Sequence, residues 1–218
     1  MNTAPAPALP LAVLISGRGS NMAAIAKGCA SGQIGARIVR VIADRTAAGG
    51  IELARQLGLE VSVVAARQYP DRAAFEAALQ AAIDASGARL VVLAGFMRIL
   101  SPEFAARYAG AMLNIHPSLL PKFPGLHTHE RALAAEECEH GASVHFVTGE
   151  LDAGPLLRQA RVPVLPSDTP GSLSARVQVE EHIIYPEVVG WIAAGRLKMV
   201  DGLPWLDGRP LRQPMISG

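Results

Sequence analysis

In the first half of the chain, short apolar runs alternate with alanine-rich stretches of helical composition. The apolar runs carry almost no charge and the stretches between them are long enough for two to four helical turns. Strands that are apolar throughout and separated by helices predict a mainly parallel sheet covered by helices on both faces. We therefore predict a Rossmann-like α/β fold. The predicted strands are Leu11–Ile15, Ala36–Ala43, Val61–Ala65 and Leu90–Ala94, and the predicted helices are Ser20–Ala30, Ala48–Leu57, Asp71–Ala85 and a short one opening at Ser101.

The alternation of apolar runs and helical stretches ends after Met112. Leu113–His127 is rich in proline and has little helical periodicity, which predicts an ordered loop leaving a strand. A Pro inside a helix should kink it, so we expect a bend at Pro186. The second half is predicted to contain an antiparallel hairpin and a long helix. Its elements are a short helix at Thr128–Glu136, paired strands at Ser143–Thr148 and Leu156–Val164, the long helix at Ser172–Ala194, and a strand at Leu197–Val200.

Composition limits the class of function. Half of the 218 residues are hydrophobic and the net charge is +1, so a large core is expected and the basic excess of nucleic-acid binders is lacking. Cys29 and Cys138 form no metal-ligand spacing, which fits a reducing compartment. No apolar run approaches membrane length. We expect a soluble cytoplasmic protein whose partners are small molecules, without nucleic acid or membrane.

The hexapeptide Ser16–Asn21 (SGRGSN) follows the first predicted strand and opens a helix. Glycines let a ligand approach the backbone closely, and the free N–H groups of a helix start attract an anion such as phosphate. The Ser20 hydroxyl and the Asn21 amide would add donors. The third glycine of GxGxxG is missing, which disfavours a dinucleotide. A tight turn with Ser20 as N-cap explains the hexapeptide equally well.

Asn114 and His116 stand one residue apart at the end of an apolar strand. Alternation along a strand puts both on one face and sends Ile115 into the core. Ligands of parallel sheets gather beyond the carboxyl ends of the strands, where this pair would emerge. An amide donor beside an imidazole can stabilise an oxyanion and move a proton. The alternative is a buried polar pair that satisfies neighbouring backbone groups.

Asp152 lies in the turn GELDAGP between two later strands. A carboxylate near His116 would raise the pKa of the imidazole. Ordinary turn chemistry is the simpler explanation of an Asp at this position. His127, His129 and His145 match no common zinc spacing, so we expect no metal.

The long late helix carries a polar stripe at spacings of three, four and seven residues. A solvated stripe is the simpler interpretation. If this face turned toward the end of the Asn114 strand, its carboxylate could instead reach ribose hydroxyls. The stripe consists of Gln178, Glu181, His182 and Tyr185.

Together these segments resemble the phosphoribosylglycinamide formyltransferase family over nearly the whole chain. LNIHPSLLP with a downstream LDxGP is shared by several folate-dependent formyl-transfer enzymes, and SGxGSN with the late helix narrows the resemblance to the glycinamide enzymes. The resemblance implies one domain, with a loose arm at 1–8, a nucleotide-binding half at 9–111 and a catalytic and folate half at 112–218. The matching segments are Leu14–Asn21, Val92–Ser101, Leu113–His129, Ser143–Thr148, Leu151–Pro155, Arg176–Gln178, Glu181–His182, GRLKM and WLDGR.

The resemblance also implies the roles of particular residues. The amine of glycinamide ribonucleotide would attack the formyl carbon of 10-formyltetrahydrofolate directly, without metal, in a monomer or homodimer. Asn114 would contact the formyl oxygen, His116 would act as general acid, and Asp152 would hold its pKa up. The implied phosphate and ribose ligands are Gly19, Ser20, Asn21, Gln178 and Glu181, and the implied folate ligands are Arg72, Met97, Arg98, Ile99, Leu100 and Asn114.

Three other functions compete with this one. Methionyl-tRNA formyltransferase shares the folate chemistry but normally adds a C-terminal domain and a basic surface. Formyltetrahydrofolate deformylase uses water as the acceptor and usually carries an N-terminal regulatory domain. A catalytically silent nucleotide-binding module would bind nucleotide without transferring a formyl group.

Overall fold

One eight-stranded sheet organises residues 7–218, the part of the chain that the computed structural model describes. Most of the expected N-terminal arm, residues 1–6, lies outside the described residues. The elements are β1 Leu9–Ile15, α1 Ser20–Ala30, β2 Ala36–Ala43, α2 Gly50–Gln56, β3 Val61–Val63, a 3₁₀ turn Ala66–Gln68, α3 Arg72–Ser86, β4 Leu90–Leu93, α4 Pro102–Arg107, β5 Met112–His116, α5 Thr128–Ala134, β6 Glu139–Phe146, β7 Leu156–Pro163, α6 Pro170–Ala193, β8 Leu197–Val200, β9 Leu203–Leu206, β10 Arg209–Pro210 and β11 Met215–Ser217.

The strand order is β11-β7-β6-β5-β4-β1-β2-β3. Strands β1 to β5 pair in parallel, and β6 runs antiparallel to both β5 and β7. The prediction of a mainly parallel sheet with an antiparallel hairpin is therefore confirmed. The predicted strand at Leu197–Val200 is present as β8, in a separate three-stranded sheet of order β10-β9-β8. Strands β9 and β10 and the edge strand β11 were not predicted, because they are short and separated by Gly and Pro.

Both faces of the sheet are buried along most of β1 and β4, which explains why these two strands are apolar at every position. Along β1, Val13 points into the core cluster that α1 and α6 cover, while Leu14 points into the cluster that α3 and α4 cover. This confirms the prediction of helices on both faces. No helix among residues 7–218 is long and apolar enough to cross a membrane.

Several boundaries differ from the prediction by one to four residues, among them the starts of β6 and α6. Strand β6 begins at Glu139, four residues before the predicted start, because a polar beginning pairs with the end of β7. Helix α6 begins at Pro170, where Thr169 and Ser172 form a reciprocal capping box, and it continues through Pro186.

Candidate active site

The candidate site is a cavity of about 460 Å³ at the carboxyl ends of β4 and β5. Asn114 and His116 both line it, and Ile115 between them is buried in the core, as the strand alternation predicted. The antiparallel neighbour β6 places His145 directly opposite Asn114. The β6–β7 turn, which carries Asp152, covers the same cavity. Residues distant in sequence thus converge on one strand end.

Asp152 lies against His116. The distance from Oδ2 of Asp152 to Nδ1 of His116 is 3.3 Å, and both side chains are almost fully buried. The backbone N–H of Gly125 donates to the same Oδ2 at 2.9 Å. Close backbone packing holds the turn in place: a Cβ on Gly154 would lie 1.8 Å from the carbonyl oxygen of Phe146. The proximity on which the expected role of Asp152 depends is present.

The pKa of His116 departs from our expectation. Burial lowers this pKa below its ordinary value. The Phe123 carbonyl and the Asp152 carboxylate act in the opposite direction but do not reverse the effect of burial. The prediction that Asp152 holds the pKa up is therefore wrong for the net value, although the direction of its own influence is as expected.

Asp152 itself favours the ionised state. Burial acts to raise its pKa, but contacts with His145, the Gly125 N–H and His116 outweigh that effect and leave the pKa below its ordinary value. Burial thus favours the neutral imidazole of His116, whereas the contacts of Asp152 favour its anionic carboxylate.

Nε2 of His116 lies 2.9 Å from the carbonyl oxygen of Phe123, a residue with a φ of 55° in the proline-rich loop. Each ring nitrogen of His116 thus faces an oxygen acceptor. A reacting group can meet Nε2 only if it replaces this carbonyl.

Asn114 is oriented by His145. Nδ1 of His145 lies 2.9 Å from the Phe146 carbonyl, and its Nε2 faces both the Asn114 amide and, at 3.7 Å, Oδ1 of Asp152. The side-chain amide of Asn114 lies 3.2 Å from that Nε2 and 3.5 Å from Oδ1 of Asp152. Sequence reasoning considered His145 only as a metal ligand and missed this role. The signal that identifies it is the register of β5 with β6, which the sequence does not display.

The glycine turn forms the N-terminus of α1. Gly19 occupies the N-cap with a φ of 78°, and no side chain caps the helix. Ser20 is the first helical residue, so the interpretation of Ser20 as N-cap is wrong. Without a capping side chain, the N–H groups of the first turn remain available to an anion.

Helix α6 turns its polar stripe toward this turn. Nε2 of Gln178 donates to the Ser20 hydroxyl at 3.1 Å, and the amide of Asn21 donates to buried Glu181 at 2.8 Å. Burial raises the pKa of Glu181. The interpretation of a solvated stripe is therefore wrong. Glu181 thus engages one donor of the Asn21 amide.

The expected folate ligands divide into two groups. Five of the six line the cavity, namely Met97, Arg98, Ile99, Leu100 and Asn114. Arg72 does not line it: this residue begins α3 and lies 3.9 Å from Glu76 beside a separate, shallower groove. Among residues 7–218, no group of three or more His, Cys, Asp or Glu side chains is arranged to hold a metal ion.

Comparison with known proteins relates this geometry to a family. The formyl transferase family model matches residues 9–189. The phosphoribosylglycinamide formyltransferase of Escherichia coli is 51% identical over 201 residues, which are 92% of this chain and 95% of that protein. The solved phosphoribosylglycinamide formyltransferase of Coxiella burnetii superposes with a TM-score of 0.92 at 49% identity, covering 97% of this chain and 100% of that one. Glycinamide ribonucleotide transformylase 1 of Symbiobacterium toebii superposes with a TM-score of 0.88 at 43% identity, covering 92% and 95%. The chain belongs to the phosphoribosylglycinamide formyltransferase group of the formyl transferase family.

Proposed function

We propose that the protein transfers the formyl group of 10-formyltetrahydrofolate to the primary amine of glycinamide ribonucleotide. The products are formylglycinamide ribonucleotide and tetrahydrofolate, in purine biosynthesis. The observation that carries the proposal is the convergence of Asn114, His116 and Asp152 at the wall of one cavity. This chain also matches nearly the whole length of relatives whose names state this activity.

The two substrates have adjacent candidate sites. The uncapped turn at Gly19 and Ser20 offers N–H groups to the phosphate, and the Glu181 carboxylate offers acceptors to the ribose hydroxyls. The cavity accommodates the folate between Asn114 and the Met97–Leu100 segment. Gly95 connects the sites, because it lines the cavity and its carbonyl accepts the N–H of Ser16 at 3.1 Å.

In the proposed reaction the amine nitrogen attacks the formyl carbon and the carbonyl oxygen becomes an oxyanion. The Asn114 amide donates to this oxygen, and the new hydrogen bond replaces the long 3.5 Å contact of the amide with Asp152. Neutral His116 accepts a proton from the attacking nitrogen through Nε2 and delivers it to the folate nitrogen as that C–N bond breaks. Asp152 holds the ring through Nδ1.

This sequence of steps requires a movement near Phe123. Its carbonyl faces Nε2 of His116 at 2.9 Å, so the proline-rich loop must withdraw before that nitrogen meets the amine. The role of His116 thus becomes that of a proton shuttle that starts neutral, since burial lowers its pKa.

We further propose a single domain that acts in the cytoplasm as a monomer or homodimer, without metal. The sheet supports the single domain, because β4 and β5 on either side of residue 111 are paired. Contacts cross the division at 111: Glu181 reaches Asn21, and Met97 lines the cavity with Asn114.

The test is an assay of tetrahydrofolate release from 10-formyltetrahydrofolate with and without glycinamide ribonucleotide. We expect release only with the acceptor, and a loss of about 10²- to 10⁴-fold in His116→Ala. Release without the acceptor would indicate a deformylase, and nucleotide binding without release would indicate a silent module. Metal chelation should leave the rate unchanged.

A further inference from the structure

The segment Met97–Leu100 lines the cavity but belongs to no helix or strand. In residues 7–218, the backbone N–H and C=O groups of Arg98, Ile99 and Leu100 enter no backbone–backbone hydrogen bond. Such groups are available to the polar edge of a ligand. Irregular backbone presents them in a constant direction only if other contacts fix it, which reduces the entropy lost on binding.

Three side chains from outside the segment supply such contacts. The Ser16 hydroxyl accepts the N–H of Met97, the first residue of the segment, at 2.8 Å. Glu76 accepts the N–H of Ser101 at 2.7 Å, just after its end. Asp44 is the third, and its Oδ2 accepts Nε of Arg98 at 2.7 Å. Of the three contacts, only the one with Asp44 joins two opposite charges.

Asp44 follows β2 and does not line the cavity. Its side chain is 2% exposed, whereas that of Arg98 is 42% exposed. Its second oxygen, Oδ1, has no hydrogen-bond partner among the described residues, and Nε of Arg45 lies 3.8 Å from it. A buried carboxylate is costly unless it is paired, so the short bond to Arg98 compensates for the burial of Asp44. The same bond restrains Arg98.

We propose that Asp44 is a positioning residue for folate binding, acting through Arg98 to hold the Met97–Leu100 segment in its ligand-binding conformation. The identity of the ligand rests on the proposed function. Because Asp44 does not line the cavity, any change in folate affinity on its substitution cannot come from a lost direct contact with the ligand.

The test begins with Asp44→Asn, which keeps the size of the side chain and removes its charge. With the full chain, tetrahydrofolate affinity is measured by calorimetry, and KM and kcat are measured for both substrates. We expect the folate Kd and KM to rise about tenfold, the effect of losing a charge-assisted hydrogen bond to a half-exposed partner. The value of kcat and the KM for glycinamide ribonucleotide should stay within about twofold, which a general loss of structure would not allow.

Asp84→Asn is the matched control, since it makes the same change in the Asp84–Arg107 pair, whose N–O distance is 2.9 Å, outside the cavity lining. It should leave the folate Kd unaltered. Arg98→Ala removes the exposed partner of the Asp44–Arg98 pair and should also weaken folate binding. This second variant keeps the proposal testable if Asp44→Asn folds poorly. In the double variant, Asp44→Asn should add no further loss to Arg98→Ala.

Two results would overturn the inference: an unchanged folate Kd in Asp44→Asn, or losses that add fully in the double variant. Either result leaves acceptor-dependent formyl transfer by the unaltered protein in place. If the unaltered protein binds tetrahydrofolate but transfers no formyl group, the proposed function fails, and the folate affinities still decide the role of Asp44.

Discussion

Replacing Asp152 by Asn removes the carboxylate that faces His116 while preserving the turn that carries it. The φ of Asp152 is 53°, in the left-handed region that Asn tolerates well, so the exchange introduces little backbone strain. Four groups face the carboxylate: Gly125 N–H at 2.9 Å, Nδ1 of His116 at 3.3 Å, Nδ2 of Asn114 at 3.5 Å and Nε2 of His145 at 3.7 Å. An Asn amide has only one oxygen to accept from these groups, because its NH₂ group cannot accept.

The magnitude follows from this loss of acceptors. If the amide oxygen keeps the Gly125 bond, the His116 ring loses its charged partner in a place where the two side chains are 7% and 6% exposed. A hydrogen bond to a charged group contributes about 1.5–3 kcal/mol when water cannot replace it. Loss of this restraint in the transition state lowers kcat by about 10- to 150-fold. The pKa of His116 should fall further, because the favourable charge is gone while burial remains.

The assay is acceptor-dependent release of tetrahydrofolate, followed from pH 5 to 9, with an NMR titration of His116 in parallel. Asp207→Asn is the matched control: Asp207 also has a positive φ, 51°, and pairs with Arg196 at 2.7 Å, outside the cavity lining. The control should retain the kcat of the unaltered protein.

A kcat for Asp152→Asn within threefold of the unaltered value, in a protein with an unchanged melting temperature, would refute the argument. So would a rise in the pKa of His116. The first outcome would mean that the Phe123 carbonyl suffices to hold the imidazole.

Three further predictions concern the nucleotide site and stability. Glu181→Gln should raise the KM for glycinamide ribonucleotide about tenfold and leave the folate KM unchanged, because the buried carboxylate lies beside the glycine turn; equal changes in both constants would contradict this. Tyr185→Phe should lower the free energy of unfolding in urea by about 1–3 kcal/mol, since its buried hydroxyl lies 3.0 Å from the Leu93 carbonyl and 3.1 Å from that of Leu113; an unchanged urea midpoint would show that neither bond contributes. Burial lowers the pKa of His140 to about 4, whereas its pKa in the unfolded chain is about 6.5. The stability that this neutral histidine contributes is therefore complete above about pH 6.5 and is lost, by up to about 3 kcal/mol, as the pH falls toward 4. In urea titrations at a series of pH values, His140→Gln should flatten the dependence of the unfolding free energy on pH in this range.

Much of the fold could be predicted because local periodicity carried the information. The β1 run is apolar at successive positions, and only a strand buried on both faces requires that pattern. The same-face placement of Asn114 and His116 follows from strand alternation alone. Strand β8 was predicted, but β10 and β11 could not be, because they have two and three residues, too few for any periodicity.

The sequence by itself thus determined the α/β architecture, the glycine turn and the Asn114–His116 pair, since each depends on neighbours within a few residues. Only the tertiary structure decided that Asp152 meets His116, that His145 orients Asn114, and that Glu181 is buried against Asn21. It also decided the direction of the His116 pKa, because burial depends on every element packed around the ring. Contacts between distant segments and the exclusion of water arise when the sheet and its covering helices close, and no local pattern encodes them.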